Sequence, residues 1–163
     1  MKWQKRIEKN NYLPEKGYVM EIVKMNSEDV STVCEIENMI FSKPWSMKSF
    51  LDSIHDNKNL YLVAKDGDEI VAYCGLWGIM DEGHITNVAV KENYRGKGIG
   101  KKMLNKLLEL GKEKGLVAFT LEVRIGNVAA INLYKNLGFI DAGVRKNFYE
   151  DPVEDGLIMW LYC

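Results

Sequence analysis

Apolar positions change period several times along this chain, and each change marks an element. Residues 20–24 read as a short strand. Val30, Val33, Cys34, Ile40 and Phe41 then recur at helical spacing, with Asn26 or Ser27 placed to cap the helix. Glu28 and Asp29 fall in its first turn, where the helix dipole favours anions. Pro44-Trp45-Ser46 interrupts the run, and Ser46 predicts the cap of a second, short helix with Phe50, Leu51 and Ile54 on one face. Residues 60–65 and 69–80 read as strands joined by the turn Asp66-Gly67-Asp68, and a further strand follows at 84–90. A glycine-rich turn leads into a helix with Ile99, Met103, Leu107 and Leu110 in register, ended by Gly115. Val117, Phe119, Leu121 and Val123 alternate with Ala118, Thr120 and Glu122, which predicts a strand with two distinct faces. Asn127 predicts the cap of a helix carrying Ala130, Leu133, Tyr134 and Leu137, stopped by Gly138. Two last strands, near 139–144 and 156–162, close the chain.

Strands that run together first and alternate with helices afterwards predict an α+β fold with α/β/α layering: one mixed sheet covered by helices. Residues 1–19 stand apart, with Lys2, Lys5, Arg6, Lys9 and Lys16 against Glu8 and Glu15 and no clear period. They read as a basic N-terminal extension, a mobile arm or a loosely docked helix, with Met20 as an alternative start. Residues 20–163 then form one domain, as a chain of 163 residues allows.

Composition narrows the function classes. With 22 Lys and Arg against 23 Asp and Glu, the net charge is −1, so bulk attraction to nucleic acid is excluded while a local anion site is not. The 47% hydrophobic and 28% charged content is that of an ordinary soluble globule. Cys34, Cys74 and Cys163 are scattered and odd in number, which points to a reducing, cytoplasmic setting without a disulfide framework. His55 and His84 lack metal-ligand spacing, so no metal is expected. The longest uncharged stretch, residues 70–80, is 11 residues against the ~20 a membrane span needs. The first 19 residues have no apolar core of a secretory signal.

The most informative segment is Arg95-Gly96-Lys97-Gly98-Ile99-Gly100-Lys101. It sits between a strand and an amphipathic helix, where main-chain N–H groups and the helix dipole can hold phosphate. Arg95, Lys97, Lys101, Lys102 and Lys106 place five positive charges in twelve residues without an acid. A dinucleotide fingerprint starting at Gly96 needs Gly where Lys101 stands. A P-loop ending at Gly100-Lys101 needs Gly and Ser or Thr where Arg95 and Lys102 stand. What remains is R-G-x-G-x-G, either a plain strand-to-helix turn with a solvated basic face or a pyrophosphate cradle.

Further motifs follow in order: Asn87-Val88-Ala89-Val90, Leu121-Glu122-Val123-Arg124, Asn127, and the run from Ala130 through Leu133-Tyr134-Lys135-Asn136-Leu137-Gly138-Phe139. With Phe41-Ser42-Lys43-Pro44-Trp45-Ser46, and Arg145-Lys146-Asn147-Phe148-Tyr149 followed by Glu154-Asp155, residues 20–160 resemble the GNAT N-acetyltransferases. Within these they are similar to the RimI-type ribosomal-protein alanine N-acetyltransferases. The resemblance implies a mostly antiparallel mixed sheet of about six to seven strands flanked by helices. It also implies acetyl transfer from acetyl-coenzyme A, as co-substrate, to the α-amine of a protein, most of all a ribosomal protein's N-terminal alanine. Other amines, or a coenzyme-binding module without catalysis, are the alternatives.

Such a reaction sets three demands. The α-ammonium must lose a proton (its pKa is ~7.7–8.0). The thioester carbonyl needs N–H donors as charge develops on its oxygen. The departing thiolate needs a proton. The resemblance assigns the base, acting directly or through water, to Glu122, which on spacing alone could equally be a solvated carboxylate paired with Arg124 or a cross-strand lysine. It assigns the acid to Tyr134, otherwise a core aromatic. Coenzyme binding falls to Arg95, Gly96, Lys97, Gly98, Ile99, Gly100 and Lys101, to the main chain of Val88, Ala89 and Val90, and to Asn127, which can be helix cap and ligand at once. In similar enzymes the strand bearing Val88 splays from its neighbour. Pro44, Trp45 and Tyr149 resemble the loops lining the peptide entrance, and Glu154 with Asp155 would attract a basic N-terminal tail. One departure is Gly126, where similar enzymes often have Ser.

Overall fold

The computed structural model describes residues 20–163; the expectation of a basic extension at 1–19 lies outside the described residues. In chain order the elements are β1 (Met20–Lys24), α1 (Val30–Ile40), α2 (Met47–His55), β2 (Leu60–Asp66), β3 (Glu69–Ile79), β4 (Glu82–Val90) and a 3₁₀ turn (Glu92–Tyr94). They continue with α3 (Ile99–Glu113), β5 (Ala118–Arg124), α4 (Val128–Asn136), β6 (Ile140–Glu150) and β7 (Val153–Tyr162). The strands form one seven-stranded sheet in the order β1-β2-β3-β4-β5-β7-β6. Its neighbours pair antiparallel except β4 with β5, which run parallel.

Alternation along the strands sends apolar side chains to both faces, and helices cover each. On one face Leu62, Cys74, Leu121 and Val123 pack with Met103, Leu104 and Leu107 of α3 and with Tyr134 of α4. On the other, Tyr61, Val63, Tyr73 and Ala89 pack with Val33 and Ile36 of α1 and Phe50 of α2. Ser46 caps α2 by accepting from the Ser49 N–H (3.1 Å), and Asn127 caps α4 by accepting from the Ala130 N–H (3.2 Å). Both caps follow the sequence reading.

Three local expectations are corrected. The first helix begins at Val30 because Asn26 Oδ1 accepts from the N–H groups of Glu28 (2.9 Å) and Asp29 (3.1 Å), closing a turn before the helix. Glu28 and Asp29, expected in its first turn, therefore precede it: Asp29 is the N-cap residue and pairs with Lys65 of β2 (2.9 Å). Val117 lies outside β5 and is 51% exposed, whereas Thr120 on the supposed polar face is buried and donates to the Met159 carbonyl (3.1 Å). The last two strands also run longer than read: β6 extends to Glu150 and β7 starts at Val153, so 145–149 and 154–155 form a hairpin. Its register shifts between Arg145 and Tyr149, and Asn147 has φ +52° with its N–H on Asp155 Oδ1 (2.8 Å). That irregularity erases the two-residue period by which a strand is read.

The parallel pair positions the site. β4 and β5 are in register only at Glu82↔Ala118, Gly83↔Phe119 and His84↔Thr120. Beyond them β4 stays paired to β3 as far as Val90, and β5 to β7 as far as Arg124, so the sheet splits into a V. Phe119, fully buried, sits at its root, where Gly83 and Gly111 leave room for the ring. A Cβ on either glycine would come within 2.7 Å and 2.6 Å of it, respectively. Above the V, the connection from α1 to α2 is held down by Glu37. This buried carboxylate accepts from the Trp45 N–H (2.9 Å) and from the Tyr73 hydroxyl, whose pKa is raised by burial and by that carboxylate.

Phe119→Ala should cost about 3–5 kcal/mol in denaturant unfolding, because the void at the V root cannot close across two glycines. Glu37→Ala should cost about 2–4 kcal/mol, since it orphans two buried donors, and Glu37→Gln less than half of that because one oxygen acceptor is kept. Equal losses for Ala and Gln would show that Glu37 acts only by filling space.

Candidate active site

The opening between β4 and β5 is a cleft of about 520 Å³ that passes through the sheet. Ile85, Thr86, Asn87 and Val88 line one wall and Leu121, Glu122, Val123 and Arg124 the other. Between Ile85 and Asn87 the ladder to β3 advances one residue on β3 and two on β4, so Thr86 is a bulge. Its hydroxyl is held by the Tyr61 hydroxyl (3.0 Å). Ala130, Leu133 and Tyr134 of α4 close one mouth of the cleft; Glu37, Phe41 and Trp45 border the other, with Tyr149 and Pro152 of the β6–β7 hairpin.

Backbone alternation decides which β4 amides are available. The Lys91 N–H donates to Val71 of β3 (2.9 Å), and Ala89 lies opposite Tyr73. By the two-residue alternation the Val88 and Val90 N–H groups turn the other way, into the gap. The Val90 carbonyl confirms the direction, because Arg95 Nε reaches back to donate to it (2.9 Å). The main chain of Ala89, expected among the coenzyme contacts, is turned toward Tyr73 of β3, and its methyl packs in the α1–α2 layer.

The glycine-rich turn continues from the open end of β4. Gly96 (φ +73°) and Gly98 (φ +77°) take left-handed conformations, and Gly98 is the N-cap of α3 without a side-chain cap. The first i→i−4 bond runs from Lys102 N–H to the Gly98 carbonyl (3.1 Å), leaving the preceding amides of the turn pointing outward with the positive helix end. Ile99 is buried and anchors the turn to the core, whereas Lys101 and Lys102 are exposed beside it. Lys97 Nζ lies 5.1 Å from the Tyr94 ring centre. These features fit a diphosphate: bare amides, a helix N-terminus and lysines at the rim.

Glu122 and Tyr134 stand on opposite faces of the gap. Glu122 alternates with Leu121 and Val123, which face α3 and α4, so its carboxylate is on the α1–α2 face. Glu122 is exposed on that face and has a partner that the sequence reading did not foresee: Arg145 Nη1 of β6 donates to Oε1 (3.1 Å). Tyr134 is buried edge-on to Phe139, and burial pushes its phenol pKa up. Its hydroxyl makes no hydrogen bond among the described residues. Tyr149 lies under Arg124, 4.3 Å from the guanidinium to the ring centre, and burial and the Glu122 carboxylate push its pKa up to about 12.

The remaining expected residues divide. Trp45 lines the cleft within an aromatic cluster, 5.4 Å from Phe50 and 5.5 Å from Trp77 between ring centres. Asn127 lines it too, as cap and wall together. Pro44 is exposed and lies outside the cleft lining, between Lys43 and Trp45, which belong to it. Glu154 is committed inward: it accepts from the Gly126 N–H (2.8 Å) and pairs with Arg124 (3.4 Å). A Cβ at residue 126 would lie 3.0 Å from Glu154 Oε2, so the glycine where similar enzymes often have Ser suits this contact. Glu37, Arg145 and Asn87 are cleft or near-cleft groups that the sequence reading left without a role. A Glu among the apolar positions of α1 was the available signal for the first. The loop connecting α1 and α2 is also tied to the hairpin across the cleft mouth, by Ser42 Oγ donating to the Asp151 carbonyl (2.6 Å) and by a Lys43–Glu150 ion pair.

Among the described residues no group of three or more His, Cys, Asp and Glu could hold a metal, and no helix is long and apolar enough to cross a membrane. Comparison with known proteins agrees with this geometry. Residues 30–139 match the acetyltransferase (GNAT) family. A Bacillus subtilis protein provisionally named a ribosomal protein bS18-alanine N-acetyltransferase is 42% identical over 138 residues, 84% of this chain and 91% of that one. The Escherichia coli K12 ribosomal protein bS18-alanine N-acetyltransferase is 32% identical over 142 residues, covering 86% and 95%. The crystal structure of the Escherichia coli ribosomal-protein-S18-alanine N-acetyltransferase superposes with a TM-score of 0.81 over 88% of this chain and 93% of that one, at 31% identity. The split sheet, the basic glycine turn and the match over most of the chain therefore have one explanation: this chain is a member of the GNAT acetyltransferase family.

Proposed function

We propose that this chain transfers the acetyl group of acetyl-coenzyme A to the N-terminal α-amine of a protein, above all the N-terminal alanine of a small-subunit ribosomal protein, by direct attack in a ternary complex. The observation that carries this reading is a gap through the sheet with a carboxylate on one face and a buried phenol on the other. The bS18-alanine activity named for its relatives supports the choice of acceptor.

The turn from Arg95 to Lys101 would hold the coenzyme's diphosphate on its outward amides, with Lys97 and Lys101 at the rim and Gly96, Gly98 and Gly100 keeping side chains away. Asn127 would face the arm of the coenzyme as it passes α4 toward the gap. The Val88 N–H, unused by β3, would receive the acetyl oxygen as negative charge grows on it. The acceptor would enter from the α1–α2 face, between Trp45 and Tyr149, and meet Glu122. That carboxylate takes the ammonium proton, directly or through one water, and releases it to solvent; the freed nitrogen lone pair forms the C–N bond, the nitrogen gives its second proton to the same carboxylate, and the C–S bond breaks. Tyr134 gives its hydroxyl proton to the departing sulfur and regains one from solvent. A phenol raised by burial stays protonated at neutral pH, as a donor must. None of the three cysteines lines the cleft, and burial pushes the Cys74 thiol up, which supports direct attack over an acetyl-cysteine route.

Mass spectrometry of a peptide beginning with alanine, incubated with the protein and acetyl-coenzyme A, should show one acetyl on the α-amine; acetylation confined to lysine side chains would overturn the choice of acceptor. Glu122→Gln should lower kcat/KM by about 10²–10⁴-fold while the Kd for coenzyme A stays within about twofold. Tyr134→Phe should slow turnover without lowering Tm. As the pH is raised from neutrality, the unaltered enzyme should show no fall in rate before about pH 10, the ordinary phenol value, because the shift of Tyr134 is upward.

A further inference from the structure

Among the described residues, Asn87 Oδ1 is the one side-chain oxygen or nitrogen that is both wholly shut off from solvent and without a hydrogen-bond partner. The residue is only 5% exposed, and it lines the cleft. A buried carboxamide without partners costs about 1–3 kcal/mol, so a fold that keeps one calls for a reason. Nothing in the packing supplies it: the neighbouring Thr86 hydroxyl is engaged by Tyr61 and the main chain of Asn87 is paired opposite Gly75.

Position narrows the missing partner. Asn87 has the parity of Ala89, whose methyl packs with the α1–α2 layer, and the opposite parity to Val88 and Val90, which pack toward α3 and α4. It therefore lies on the same face of the gap as Glu122, away from the helices that border the coenzyme side. Both residues come just after the last β4–β5 pair, His84↔Thr120, three and two residues further along their strands. A group between them meets a carboxylate on one wall and a neutral carboxamide on the other.

We propose that Asn87 binds the first residue of the acceptor chain, Oδ1 accepting from the α-amine and Nδ2 donating to the first peptide carbonyl, and so selects an α-amine over a lysine ε-amine. The inference rests on the acyl-transfer reading above. An α-amine and its carbonyl are separated by one carbon, a span that a carboxamide can bridge with its two atoms. A lysine ε-amine is followed by methylenes, which leave Nδ2 without a partner in a desolvated site. Glu122 supplies the charge and Asn87 the shape.

Two peptides test this: one beginning with alanine and lacking lysine, and one with a blocked N-terminus and a single lysine. Asn87→Leu should lower kcat/KM for the first by roughly 10–100-fold, mainly through KM. It should leave the lysine background and the Kd for coenzyme A unchanged, and Tm unchanged or higher, because an unsatisfied amide is removed. Asn87→Asp keeps an acceptor oxygen in nearly the same shape and should show an intermediate loss; it carries the test if the Leu variant does not fold. An α-over-ε preference equal to wild type in either folded variant overturns the inference, as does a loss confined to coenzyme affinity. Wild-type protein that fails to acetylate the α-amine overturns the proposed function and this inference with it.

Discussion

A parallel strand pair that stops pairing after three residues governs this molecule. β4 and β5 are bonded from Glu82 to His84 and from Ala118 to Thr120, then diverge, each retaining only its outer neighbour. Buried amides ordinarily have partners, and a ladder broken inside a sheet leaves a row of them aimed at one cleft. The cost is carried by what surrounds the split: Phe119 wedged between two glycines at its root, and antiparallel pairing on both sides. The opening gives the cleft two faces, so that two substrates can approach one point from opposite directions.

Charge is sorted by the same split. Where β4 ends, the basic turn and the uncapped start of α3 make a positive mouth although the whole chain carries only −1. Glu122 and Glu37 lie toward the α1–α2 side, and Tyr134 is kept neutral by burial on the other. An anionic coenzyme and a cationic amine are thereby drawn to different mouths. Arg145 of the hairpin donates to Glu122, and Arg124 of β5 lies over the Tyr149 ring, so two cationic side chains border this acidic wall.

Much of this was legible in the sequence. Ser46, Asn127 and Gly138 marked helix ends by local chemistry, and the helices carried clear periods; a resemblance to a known family supplied the roles proposed for Glu122 and Tyr134. What stayed hidden depends on contacts distant in sequence. The Arg145–Glu122 pair joins residues 23 apart through a hairpin whose irregular register hides it, and Ser42 meets Asp151 across 109 positions. Ala89 was read with Val88 and Val90 as one stretch of main chain, but strand alternation separates it from them. Glu154 looked like an exposed acid because its partner, the N–H of Gly126, is an amide that no side-chain pattern reveals.

The most direct test of this account is a crystal structure of the protein with acetyl-coenzyme A. The account predicts the sulfur inside the gap between Val88 and Leu121, with the Tyr134 hydroxyl within about 3.5 Å of it and the acetyl oxygen on the Val88 N–H. A thioester lying outside the split, or on the far side of β5 from Tyr134, would contradict it.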